Sequence, residues 1–132
     1  MYNNCRKEFI VLFSKSEHWT RRFLNKDISH VTVAALQGKT WIKADPTPIG
    51  LNLMATLYND ETLSIIRKRN DLIGLRVVVY RTKSYFAKIG LMTCTDVAQY
   101  ILGIHYKYCF TPNQLYKRLI NNKYDYISVK RV

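Results

Sequence analysis

The sequence predicts an α+β domain with an antiparallel sheet of about five strands and two or three helices. Three observations predict it. Runs rich in β-branched and aromatic residues, such as EFIVLFS and LRVVVYRT, are punctuated by turn residues rather than embedded in long helical repeats. The clearest helix starts, TCTD and TPNQ, carry matching caps and fall late in the chain. The 132 residues are 48% hydrophobic and 23% charged, enough for one core and a single domain over residues 1–132.

The elements follow in order. EFIVLFS (Glu8–Ser14) is a strand, and EHWTRRFLNKD, with Trp19 and Phe23 four apart, allows a short helix or a structured loop. SHVTVAAL (Ser29–Leu36), the turn QGK and TWIKAD (Thr40–Asp45) make a hairpin. PTPIG is expected to end it, because proline cannot donate to a central ladder. LNLMATLY (Leu51–Tyr58) alternates as a further strand. Asn59 or Asp60 then caps a helix reaching Arg69, with Leu63 and Ile66 on one side. The unbroken valines of LRVVVYRT (Leu75–Thr82) indicate burial on both faces, as in a central strand.

Thr93 and Asp96 form a variant capping box ahead of Val97, Ala98, Ile101 and Leu102, and Gly103 ends that helix. Thr111 and Gln114 form a second box, with Pro112 at the favoured first helical position and Leu115, Leu119 and Ile120 following. The last segment, YDYISVKRV (Tyr124–Val132), alternates as an edge strand of the same sheet or as a strand added to a neighbour. Lys130 and Arg131 blunt such an edge.

Twenty-one Lys and Arg against nine Asp and Glu leave a net charge of +12, which favours contact with DNA, phosphate or an acidic protein surface. Cys5, Cys94 and Cys109 are odd in number and widely spaced, unlike a disulfide framework or a zinc site, so no metal or cofactor is expected. The five-residue apolar run FIVLF is too short for a signal peptide or a membrane span, so a reducing, cytoplasmic setting is expected.

Cys94 is the chemically interesting residue. As the first residue after the Thr93 cap, it meets the positive end of a helix, which favours thiolate, the nucleophilic form. It shares a face with Val97, Ala98 and Ile101 and so points at the sheet the helix covers. A base must come from the three histidines. His18 lies in a basic, exposed stretch, and His105 is roughly 16 Å along the helix axis from Cys94. His30 opens a strand, on the side of the small residues Thr32 and Ala34, and is the best partner. Asp45, the only acid of the neighbouring strand, is the candidate to orient His30, its alternative role being a turn former before Pro46.

A strand histidine, a hairpin partner with a polar group, a further strand and then a helix-starting cysteine resembles the circularly permuted papain-like cysteine peptidase and amidase superfamily. That superfamily includes the lecithin–retinol acyltransferase-like group, in which histidine precedes cysteine. HVTVAALQGKTWIKADP, GLMTCTDVAQYILGI and the later TPNQLYKRL resemble small papain-like proteins encoded among the structural genes of tailed phages. The resemblance spans about residues 28–120. It implies a permuted papain-like fold with Cys94 as nucleophile, His30 as general base and Asp45 as orienting residue. The superfamily more often places its polar group within the strand, where this chain has Lys43 and Thr40.

The implied chemistry is acyl transfer through a thioester, on a peptide bond, a cell-wall amide or a lipid or thioester acyl group. The implied setting is a virion or the host cytoplasm. The alternative is a non-enzymatic basic module that keeps the papain-like shell and binds virion proteins or DNA, with Cys94 as core and His30 as a structural histidine.

Overall fold

The computed structural model describes residues 6–14, 28, 30–47, 50–57, 60–69, 72–80, 93–104 and 106–132. Strands β1 (Lys7–Ser14), β2 (His30–Gln37), β3 (Thr40–Thr47), β4 (Gly50–Leu57), β5 (Leu72–Val79) and β6 (Ile127–Arg131) form one sheet. Its order is β4-β3-β2-β1-β5-β6, and every neighbouring pair is antiparallel. Helices α1 (Asp60–Lys68), α2 (Cys94–Leu102) and α3 (Pro112–Ile120) complete the described fold. The architecture is α+β, as expected. None of these helices is long and apolar enough to cross a membrane.

The sheet has six strands among the described residues rather than about five. The C-terminal segment supplies the extra one, pairing with β5 from Val79↔Ile127 to Leu75↔Arg131. It lies at the sheet edge, where Lys130 and Arg131 are exposed. A second difference concerns Pro46, which does not stop β3. That strand runs on to Thr47 against β4, beyond its last pair with β2 at Val33↔Ala44. On the β2 flank, no ladder needs the N–H that proline lacks. The segment around Trp19 and Phe23 lies outside the described residues.

Alternation along the strands builds two cores. Phe9, Val11 and Phe13 of β1, Val31 and Val33 of β2, and Leu75, Val77 and Val79 of β5 face one way. They pack against Ala98 and Leu102 of α2 and Leu115 and Leu119 of α3. On the other face Ile10, Ala34 and Trp41 meet Leu63 of α1. The successive Val77, Val78 and Val79 are all buried, the signature of a strand covered on both sides. Gly74 lets α1 approach β5, since a Cβ there would stand 3.0 Å from Ile66 Cγ2.

The helix ends are built as the sequence predicts. Thr93 Oγ1 accepts from the Asp96 N–H at 3.2 Å, and the Thr93 N–H donates to Asp96 Oδ2 at 3.1 Å. Gly103 closes α2 in the left-handed region at φ 69°, where a side chain would be strained. Thr111 and Gln114 make the same reciprocal cap on α3. Because α2 is pinned at both ends and along Ala98 and Leu102, its first residue has a fixed place over the sheet.

Candidate active site

His30 and Cys94 come from elements far apart in sequence, and the end of a strand ladder is what lets them meet. α2 packs on the Val31 and Val33 face of β2, whereas Thr32 and Ala34 point to the other face. The paired residues of β2 and β3 run from Gln37↔Thr40 only as far as Val33↔Ala44. Beyond that point β3 continues beside β4, and the start of α2 enters where the two strands part. The Val31 backbone N–H donates toward the Cys94 sulfur. His30, the first residue of β2, hydrogen-bonds the sulfur at the same place.

Asp45 completes the set. His30 Nε2 lies 2.6 Å from Asp45 Oδ1, and Thr32 Oγ1 donates to the same oxygen at 3.2 Å. The three residues singled out from the sequence therefore form one chain, Cys94–His30–Asp45. Thr32 extends it, and a signal for Thr32 was present: it lies two residues from His30 and thus on the same strand side. Lys43 and Thr40, the in-strand alternatives, are not part of it: Lys43 pairs across to Ala34 and Thr40 to Gln37, further up the hairpin. His18, His105 and Cys5 lie outside the described residues.

The electrostatics favour an ion pair. Hydrogen bonding to the Cys94 sulfur raises the His30 pKa from 6.5 to about 9, against the opposing effect of burial and with further support from Asp45. Burial alone would push the Cys94 thiol up, but the His30 hydrogen bond, the Val31 N–H and the imidazolium charge bring it below its ordinary value. Thr95 adds a last small preference for thiolate. Each group thus shifts toward its charged form, so the contact favours thiolate beside imidazolium over the neutral pair. Cys109 shows the contrast: burial pushes its pKa up to about 11 and keeps it an inert thiol.

Solvent reaches the pair, because the side chains of His30 and Asp45 keep 23% and 29% of their exposure and Cys94 is half-buried. Helix geometry leaves the first-turn amides of Cys94 and Thr95 without partners in the helix ladder, pointing out past the sulfur. Such amides suit a developing oxyanion. Among the described residues no group of three or more His, Cys, Asp or Glu is arranged to hold a metal ion. Comparison with protein-family models, with curated proteins and with solved structures gave no match.

The ranking of these interactions is testable. Cys94→Ala removes the largest cause of the raised His30 pKa and Asp45→Asn a smaller one. Titrating the His30 ring proton by NMR should show a fall from about 9 in both variants, larger in Cys94→Ala. Equal falls, or no fall in Cys94→Ala, would contradict the sulfur–imidazole hydrogen bond.

Proposed function

We propose that the chain is a cysteine-dependent hydrolase or acyltransferase of the peptidase or amidase type, in the permuted papain-like order with histidine ahead of cysteine. One observation carries the reading: the His30 ring is hydrogen-bonded at once to a carboxylate and to a helix-starting sulfur. A cysteine that merely filled core volume would need neither an imidazole on its sulfur nor an acid behind that imidazole. A nucleophile needs both.

The steps follow from the residues. The Cys94 thiolate attacks a substrate carbonyl carbon, and the negative charge passes to the carbonyl oxygen, facing the first-turn amides of α2. As the tetrahedral species collapses, the carbon–leaving-group bond breaks and the His30 imidazolium donates its proton to the departing atom. A thioester on Cys94 remains. Water, or an acceptor amine or hydroxyl, then gives a proton to neutral His30 and attacks the thioester, releasing the acyl group and restoring the ion pair. Asp45 holds the ring in place throughout. Peptides, cell-wall amides and acyl esters all present the carbonyl this sequence requires.

A small activated ester tests the reading without knowledge of the natural substrate. On treatment with p-nitrophenyl acetate, the native protein should acquire an acetyl group on Cys94, found by peptide mass spectrometry and removed by hydroxylamine as a thioester is. The adduct should be absent from Cys94→Ala and form much more slowly in His30→Ala. Acetylation confined to lysines, or a Cys94 adduct formed equally fast without His30, would overturn the proposal.

A further inference from the structure

A second surface, away from the thiol, has a chemistry of its own. Residues 97–124 contain no Asp or Glu, yet they carry Lys107, Lys117, Arg118 and Lys123. The same stretch displays large exposed rings, Tyr108 at 68% and Phe110 at 55%. Tyr108 is the one non-glycine residue at positive φ among the described residues, at 60°, a conformation costly for a bulky side chain.

The loop is held in that conformation from three sides. Gln99 of α2, itself buried, accepts from the Tyr106 N–H at 2.9 Å and donates to the Cys109 carbonyl at 3.3 Å. Arg118 of α3 donates to the Lys107 carbonyl at 3.2 Å. Gln114 accepts from the Phe110 N–H at 2.8 Å. What this anchored loop presents outward is a ring with Lys107 Nζ 5.2 Å from its centroid, and a second ring two residues on. Nothing in the proposed acyl-transfer site uses any of these groups.

Rings set among cations, in a stretch of chain without acids, match a ligand with both an anionic backbone and unpaired planar groups. A duplex hides its base faces in its own stack, whereas a single strand offers them. We propose that the 106–110 loop, with α3 behind it, binds single-stranded nucleic acid by base stacking and phosphate contact, without reading sequence.

Fluorescence anisotropy of a labelled oligothymidylate against the full chain tests this over a series of salt concentrations. Tyr108→Asn suits the left-handed backbone and so keeps the loop, and it should weaken binding roughly tenfold or more, as should Phe110→Ser. Both should leave the salt slope unchanged. Lys107→Ala should reduce the slope of log affinity against log salt by about 0.7. Lys39→Ala, which removes the same charge from the exposed β2–β3 turn, should change neither the slope nor the affinity by a comparable amount. The proposal is overturned by no binding at low salt, by full affinity in both ring variants, or by Lys39→Ala matching Lys107→Ala. Ring-dependent binding to phosphatidylserine vesicles without oligonucleotide binding would also overturn it, in favour of a lipid surface.

Discussion

Replacing His30 with alanine slows iodoacetamide alkylation of Cys94 at about pH 6.5, by up to roughly tenfold. The size follows from the thiolate population. An unassisted cysteine with a pKa of about 8.5 is only about one per cent thiolate at that pH. In the native protein His30, Val31 and the charge of the imidazolium lower the pKa of the sulfur and so raise its thiolate fraction. A thiolate of lower pKa is intrinsically less nucleophilic, and this returns about half of the gain on a logarithmic scale. The pH dependence has a definite sign. His30 keeps its proton until the pH passes about 9, so the native thiolate has its imidazolium partner up to that value and loses it above. In His30→Ala the labelling rate should instead climb with pH as the thiol ionises unaided. The ratio of the two rates should therefore be largest at acidic pH and shrink above pH 9. Mass spectrometry of the Cys94 peptide gives both rates.

Leu102→Ala destabilises the fold by about 2–5 kcal/mol, a large share of the 5–15 kcal/mol typical of a domain. Leu102 closes the last turn of α2 and is buried to within 2% in the cluster that joins that helix to β1, β2, β5 and α3. Truncation removes apolar contact and leaves a cavity that neighbours on rigid elements, Leu115 and Leu119 among them, cannot collapse to fill. Urea denaturation should show a lower midpoint with an unchanged slope, since the surface exposed on unfolding hardly changes. A shift well under 1 kcal/mol would mean that α2 is not docked as described, and the placement of Cys94 would lose its support.

Much of this was legible residue by residue. Threonine caps with Asp96 and Gln114 three residues on mark α2 and α3 because a capping box needs only local geometry. The period-two pattern of HVTVAALQ is likewise a local property and marks β2. Cys94, His30 and Asp45 could be singled out by elimination, because the chain offers few histidines and the hairpin strand few acids. Less visible was everything that depends on strand pairing over long range. The final strand had two open destinations, and only the β5–β6 register decides between them. That β3 continues through Pro46 depends on where the β2–β3 ladder stops, which no single-strand pattern encodes. Nor is the Val31 N–H at the sulfur visible, because a backbone donor leaves no trace in side-chain chemistry.

The central claim is that protonated His30 favours the thiolate of Cys94 and lowers its pKa. Ultraviolet absorbance of the thiolate, followed through a pH titration and taken as native protein minus Cys94→Ala, measures this directly. The subtraction removes Cys109, whose thiol ionises only at about 11, and any contribution from Cys5. The predicted result is a difference signal that disappears on acidification with a midpoint below the ordinary thiol pKa. A signal absent at neutral pH and rising in one step near the ordinary thiol pKa would contradict the claim and make Cys94 a core residue.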